Sequence, residues 1–138
     1  MTNKKDKKLS VPENFEDSHH DDVWSVFKIM GEFVEGYDKL FKIGPCVSIF
    51  GSARTSIEGK YYEMAQYTAK KVTEQGFGVI TGGGPGIMEA ANKGAQEGGG
   101  KSVGLGITLP HEQGLNAFVD NDYVINFHYF FARLLDQA

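Results

Sequence analysis

The sequence predicts an α/β fold, a Rossmann-like three-layer sandwich with a parallel sheet, preceded by an N-terminal helix. From residue 45 onward, short apolar runs alternate with segments of helical spacing, an order that implies right-handed crossovers between parallel strands. A turn with glycine at four of its five positions, residues 82–86, joins one apolar run to the helix that follows. Such a turn presents backbone N–H groups and a helix N-terminus at one end of the sheet.

Composition and charge narrow the class of protein. The 138 residues suit one domain, and the net charge of −4 gives no basic face for nucleic acid. Cys46 is the only cysteine, so no internal disulfide forms, and no Cys/His spacing typical of a zinc site occurs. No apolar run is long enough to cross a bilayer. We therefore expect a cytoplasmic protein with no membrane, nucleic-acid or metal partner and no cofactor.

The chain divides into a polar tail (1–20) that we expect to be disordered, a helical extension (21–44) and a partial nucleotide-binding domain (45–138). In the extension, apolar residues recur at alternating steps of four and three, which predicts one face of a helix. They are Val23, Phe27, Met30, Val34, Tyr37 and Phe41. Gly31 and Gly36 each weaken a helix by about 1 kcal/mol relative to alanine, so this helix needs packing. Two roles stay open, a lid on the domain's own core or a partner helix in an oligomer.

Within the domain, four apolar runs are predicted strands: residues 46–50, 77–81, 102–107 and 123–127. The first is nearly all apolar, which is typical of a buried parallel strand. Thr55 with Glu58 has the pattern of a capping box that begins the first helix, and Gly76 ends that helix. Further helices are predicted over residues 87–96 and from Tyr129 onward.

Ligands of open parallel sheets bind beyond the carboxyl ends of the strands, where the loop 50–54 and the turn 82–86 should meet. The candidate binding residues are Gly51, Ser52, Thr81, Gly82, Gly83, Gly84, Gly86 and Met88. Glycine lets a ligand touch the backbone, so the expected guest is an anion or a polar ribose. The alternative is a tight strand-to-helix connection without a ligand. The long connection 108–122 is of the kind that is usually functional or mobile.

Two common nucleotide-binding motifs are absent. The turn lacks the G-x-G-x-x-G pattern and follows the second predicted strand rather than the first, so NAD is not favoured. Residues 98–102 imitate the end of a Walker A motif, but Ala95 stands where glycine is required and the segment leads into a strand. We interpret Lys101 as a solvated residue at the start of that strand.

Several separated motifs resemble the Lonely Guy (LOG) family, whose members were long labelled lysine decarboxylases. They are IFGSAR (49–54), GVITGGGPGIMEAAN (78–92), SVGLGI (102–107) with Leu109-Pro110, Glu112 and Asn116, and FFAR (130–133). The resemblance implies a nucleoside 5′-monophosphate phosphoribohydrolase, which hydrolyses the N-glycosidic bond of AMP or a cytokinin riboside monophosphate to free base and ribose 5-phosphate. It also implies a homodimer or a higher homo-oligomer.

The same resemblance assigns catalytic roles. Arg133 matches the family's active-site arginine and would hold the phosphate or the charge that develops on the leaving base. Glu89 would bind ribose hydroxyls or order water, or else only place a negative charge near a helix N-terminus. Met88 would line the base pocket or be plain core. The family's PGGxGTxxE segment is absent and Leu134 replaces the usual lysine, so we expect very little hydrolase activity from this chain.

Two rival functions remain open. A non-catalytic nucleotide or molybdenum cofactor carrier has a similar glycine turn, and fold alone does not decide between binding and hydrolysis. Lysine decarboxylation needs a lysine that binds pyridoxal phosphate, and no lysine here lies in a motif that argues for it.

Overall fold

The computed structural model describes residues 15–107 and 114–128. The bounds of its elements are α1 Phe15–Ile43, β1 Cys46–Ser48, α2 Lys60–Glu74, β2 Gly78–Thr81, α3 Ile87–Glu97, β3 Ser102–Ile107, a 3-10 turn Asn121–Tyr123 and β4 Val124–Phe127. Of the helices described, none has a stretch long and apolar enough to cross a membrane. The predicted helix from Tyr129 and the loop residues 108–113 lie outside the described residues.

The four strands form one parallel sheet in the order β1-β2-β3-β4. The register pairs Val47 with Val79 and Leu105 with Ile125. Because all three strand pairs are parallel, every carboxyl end points to the same edge of the sheet. The predicted α/β class with a parallel sheet is confirmed.

β1 differs from the prediction in its burial. The sequence predicts a buried strand over residues 46–50, yet Val47 is 37% exposed and Ser48 is also exposed. Only β2 pairs with β1 among the described strands, so β1 forms an edge whose outer side reaches solvent. The predicted burial is therefore wrong for this strand. β2, which has neighbours on both sides, is buried at every position.

α2 and α3 pack side by side on one face of the sheet. Ala69, Ala91 and Ala95 are fully buried and cluster with Val79 of β2. Gly94 lies so close to the backbone of α2 that a Cβ at this position would overlap a carbonyl oxygen. Small side chains therefore set the close approach of the two helices.

α1 covers the opposite face and completes three layers. Ile29, Leu40 and Ile43 pack on a core that includes Leu105 and Phe127. This contact gives α1 the role of a lid, but the predicted apolar face is not the one that packs. The predicted face is instead 41–82% exposed along its whole length: Val23, Phe27, Met30, Val34, Tyr37 and Phe41. α1 also begins at residue 15, so residues 15–20, which the sequence assigns to the tail, are helical.

The start of α2 corrects the predicted capping box. The helix begins at Lys60 after Gly59, with no side-chain cap, so Thr55 does not cap it. Ser56 forms a turn there instead, because its carbonyl accepts the Gly59 N–H at 2.9 Å and its Oγ accepts the Glu58 N–H at 3.4 Å. A local turn thus occupies the residues that the capping pattern assigned to the helix.

Candidate functional site

An open cleft of about 660 Å³ lies at the carboxyl edge of the sheet. Its walls include residues 82–85 of the glycine turn, residues 106–107 at the end of β3, residues 114–117 and Asn126 of β4. Clefts of this size hold small molecules. The loop that follows β1 also reaches the cleft, through Ala53. The two regions predicted to meet at this edge do meet there.

The glycine turn has a backbone that only glycine adopts readily at two positions. Gly83 has a φ of +76° and Gly86 a φ of +72°, both in the left-handed region. A Cβ on Gly86 would overlap the Ser52 carbonyl oxygen, and a Cβ on Gly83 would overlap the Leu115 side chain. The turn is therefore fixed both by its dihedral angles and by its neighbours.

The loop after β1 supports the turn from behind. The Ser52 carbonyl accepts the Ile87 N–H at 3.1 Å, and Ser52 Oγ accepts the Arg54 N–H at 3.2 Å. Gly51 packs against Ile87, since a Cβ built on Gly51 would lie only 2.5 Å from Ile87 Cγ2. Gly51 and Ser52 thus hold the first turn of α3, and neither lines the cleft.

The N-terminus of α3 keeps donors available. Ile87 donates to Ser52, and Ala90 donates to Gly86 at 3.0 Å. The N–H groups of Gly84, Met88 and Glu89 find no acceptor within residues 15–107 and 114–128. Unpaired N–H groups at a helix N-terminus carry partial positive charge, and they attract an anion.

A buried polar network fastens the turn to α3. Thr81 Oγ1 donates to Asn92 Oδ1 at 2.6 Å and accepts the Gly83 N–H at 2.9 Å. Asn92 Nδ2 donates to Ser102 Oγ at 2.9 Å. Thr81, Asn92 and Ser102 are each 0% exposed. Because these polar groups are satisfied inside the protein, the network specifies one arrangement of the turn.

Asn116 ties the far wall of the cleft to the same network. Its Nδ2 donates to the Gly84 carbonyl and to Asn92 Oδ1, both at 3.0 Å. Its backbone N–H donates to the Gly83 carbonyl at 2.8 Å, and its Oδ1 accepts the Phe118 N–H at 3.1 Å. Sequence reasoning did not single out Asn92 or Asn116 as site residues. The available signal was an asparagine within the alanine-rich face of α3, where a polar residue needs a buried partner.

The predicted catalytic carboxylate lies away from the cleft. The Tyr62 hydroxyl donates to Glu89 Oε1 at 3.1 Å between α2 and α3, and Glu89 does not line the cleft. Burial, together with the hydrogen bond to the Glu89 carboxylate, raises the pKa of Tyr62 to about 12. Of the other predicted residues, Gly82, Gly83, Gly84 and Met88 line the cleft, whereas Thr81 and Gly86 do not. Arg133 lies outside the described residues.

The described walls of the cleft combine apolar and polar surface and carry no charge. Three asparagines, Asn116, Asn121 and Asn126, supply its side-chain amides, and no Lys, Arg, Asp or Glu occurs among the lining residues that the structure describes. Within that same part of the chain, no three of His, Cys, Asp and Glu gather as metal ligands do. These walls can bind by backbone dipoles and amides, but they hold no group that transfers a proton at neutral pH.

Comparison with known families finds a match that covers the parallel sheet. The model of the SLOG cluster4 family matches residues 44–126. The matched segment runs from the start of β1 almost to the end of β4, and it contains the glycine turn, the polar network and the described walls of the cleft. No curated protein matches the chain.

Proposed function

The chain belongs to the SLOG cluster4 family of nucleotide-related Rossmann-like proteins, and we propose that its cleft binds a nucleoside 5′-monophosphate such as AMP. The observation that carries this proposal is the glycine turn together with the start of α3, because the N–H groups of Gly84 and Met88, two residues that line the cleft, have no acceptor among the described residues. A phosphate has the charge and the acceptor oxygens that such a helix N-terminus favours. The ligand's 5′-phosphate then lies at the turn.

The rest of the cleft suits the remainder of a nucleotide. Amide groups of Asn121 and Asn126 can both donate and accept, as ribose hydroxyls and base edges require. Ile107 and Leu115 add apolar surface for a base. The volume of about 660 Å³ falls in the range of small-molecule sites.

We further propose that the bound nucleotide is hydrolysed, because the sequence resembles the Lonely Guy family. Water adds to the ribose C1′, the bond from C1′ to the base nitrogen breaks, and a proton passes to the leaving base. This step needs a carboxylate and a cation. Arg133 is the proposed cation, and Glu89 is the proposed carboxylate. Since Glu89 is held by Tyr62 at 3.1 Å outside the cleft lining, we expect slow turnover.

A non-catalytic nucleotide carrier is the second candidate function, and a molybdenum cofactor carrier is a variant of it. The uncharged lining of the described cleft favours this candidate, because a carrier needs recognition but no acid or base. Incubating the purified chain with AMP and measuring adenine by chromatography separates the two. Binding without adenine release supports the carrier, whereas turnover near 10 per second, typical of enzymes, would contradict our expectation of a nearly inactive chain.

Calorimetric titration with AMP and with adenosine tests the binding proposal. If the turn holds the phosphate, AMP binds at least about tenfold more tightly than adenosine, the gain expected from hydrogen bonds to a charged group. Equal affinities, or no AMP binding at millimolar concentration, would contradict the proposal.

A glycine variant with a matched control locates the site. Gly84→Ala adds a methyl group at the cleft wall, where the nearest atom is the flexible Met88 Cε at 2.7 Å, so the chain should fold but bind AMP more weakly. Gly31→Ala makes the same change on α1, where a Cβ has no atom within 4 Å, and AMP affinity should not change.

A further inference from the structure

The cleft has two ends that differ in chemistry. At one end, the N–H groups of Gly84 and Met88 lack acceptors among the described residues. At the other end, the cleft is lined by Asn126 of β4. Free N–H groups at a helix N-terminus suit an anion, whereas a carboxamide, which both donates and accepts, suits an uncharged polar group. A ligand that fills the cleft therefore has an anionic end and a neutral end that forms hydrogen bonds.

The register of the strands gives the separation of the two ends. Thr81 pairs with Gly104, and Gly104 pairs with Val124, so the turn that follows Thr81 lies two strands away from β4 and Asn126. Adjacent strands lie about 4.8 Å apart, and two spacings make about 10 Å. The phosphate and the base of a nucleoside 5′-monophosphate are separated by a comparable distance, so one such ligand can reach both ends.

Gly106 and Leu115 shape the surface between the two ends. A Cβ on Gly106 would lie 2.6 Å from Asn126 Oδ1 and 3.1 Å from Leu115 Cδ2. The absence of a side chain at Gly106 therefore leaves room for the Asn126 amide. Leu115 also lies against the turn, since a Cβ on Gly83 would overlap its side chain. Apolar surface thus connects the turn to the neighbourhood of Asn126, where the ring of a base would lie.

The Asn126 amide is available to a ligand. Within residues 15–107 and 114–128 its side chain forms no hydrogen bond, whereas the Asn116 amide donates to Gly84 and to Asn92. Asn121, the third asparagine of the lining, lies in a 3-10 turn. The backbone of Asn126 is instead held in β4, where it pairs with Gly106. A site on a strand is placed more precisely than a site on a loop, so Asn126 is the better placed of the two for selective recognition.

A carboxamide distinguishes adenine from the 6-oxopurines. The N6/N7 edge of adenine presents a donor beside an acceptor, and an asparagine side chain forms two hydrogen bonds with it. Guanine and hypoxanthine present two acceptors on the same edge, O6 and N7, so the carbonyl of the amide would face an acceptor. Guanine is usually recognised by Arg or Lys, and the lining residues that the structure describes include neither.

We propose that Asn126 selects the base of the bound nucleotide, and that it selects a 6-aminopurine. Asn126 Nδ2 donates to N7 of the base, and Asn126 Oδ1 accepts from the 6-amino group. In a nucleotide with an anti base, N7 lies on the same side as the 5′-phosphate, so the turn and Asn126 can bind the two groups together. This inference rests on the proposed nucleotide binding and adds the identity of the base to it.

Calorimetric titration with AMP, IMP and 7-deaza-AMP tests the choice of base. IMP has an oxygen where AMP has the 6-amino group, so AMP should bind at least about tenfold more tightly than IMP. 7-Deaza-AMP lacks the acceptor at position 7 and should bind about threefold to tenfold more weakly than AMP. Equal affinities for AMP and IMP would overturn this inference and leave the nucleotide site standing. No binding of any of the three would remove the nucleotide site and the inference with it.

Variants of the chain assign the selection to Asn126. Asn126 is exposed, so Asn126→Ala should keep the circular dichroism of the wild type while its affinities for AMP and IMP come within about twofold of each other. Gly106→Ala keeps the amide but displaces it, and it should also reduce the preference for AMP. The matched control is Gln75→Ala, which removes an exposed side-chain amide outside the cleft lining and should leave both affinities unchanged. If Asn126→Ala retains the preference of the wild type for AMP, another residue selects the base and the inference is wrong.

Discussion

Removing the Thr81 hydroxyl tests whether the buried network holds the glycine turn. Thr81→Val keeps the shape of the side chain but removes two hydrogen bonds, one to Asn92 Oδ1 at 2.6 Å and one from the Gly83 N–H at 2.9 Å. Asn92 Oδ1 keeps its bond from Asn116, so it remains satisfied. The Gly83 N–H, in a buried residue, loses its acceptor.

The size of the effect follows from these contacts. A hydrogen bond contributes about 0.5–1.5 kcal/mol net, and a buried donor left without a partner costs about 1–3 kcal/mol. Together they predict a loss of about 1.5–4.5 kcal/mol in the free energy of unfolding. Since small domains are stable by about 5–15 kcal/mol, this loss is large but leaves a folded protein.

Urea unfolding followed by far-ultraviolet circular dichroism measures this loss. The midpoint should fall with an unchanged slope, and AMP affinity should fall with it because the turn is no longer fixed. Thr68→Val, on the exposed side of α2, is the control and should change stability by less than about 0.5 kcal/mol. If Thr81→Val is as stable as that control, the network does not hold the turn.

Two further predictions concern the turn and the contact between α2 and α3. Gly86→Ala places a side chain at a φ of +72° and against the Ser52 carbonyl, so it should destabilise the protein by at least about 2 kcal/mol in thermal unfolding, whereas Gly114→Ala, in open space, should not. A Gly86→Ala protein of normal stability would contradict the turn geometry. The raised pKa of Tyr62, about 12 against a reference of 10.0, favours its neutral form in the folded state. The stability that it contributes is therefore complete below pH 10 and declines as the pH rises through 10 to 12. In a spectroscopic pH titration, Tyr62→Phe should lack one tyrosine ionisation that the wild type shows at high pH. If the absorbance change at high pH is the same in both proteins, the assignment to Tyr62 is wrong.

Elements with a strong local signal were predicted well from the sequence. The third predicted strand has the same bounds as β3, and Gly76 ends α2 with a φ of +93°, as its position predicts. The glycine turn was placed at the correct edge for the same reason, since a strand, a turn and a helix follow one another without a gap.

Features that depend on distant partners were not predictable in the same way. Burial of Val47 depends on which strands pair with β1, and no local pattern states this. Periodicity identified an apolar face of α1, but two faces are apolar, and the one built on Ile29 and Ile43 packs on the sheet. The bond from Asn116 to Asn92 joins residues 24 positions apart, so the network could not be read from spacing alone.

The position of Asn116 in the chain has a consequence for biosynthesis. The polypeptide emerges from the ribosome N-terminus first, so α2, β2 and α3 are available before Asn116 is made. Until then, the carbonyls of Gly83 and Gly84 lack the donors that Asn116 supplies in the finished fold. The glycine turn therefore gains its last contacts late in synthesis, and a nascent chain that stops before residue 116 carries these glycines without the hydrogen bonds from Asn116.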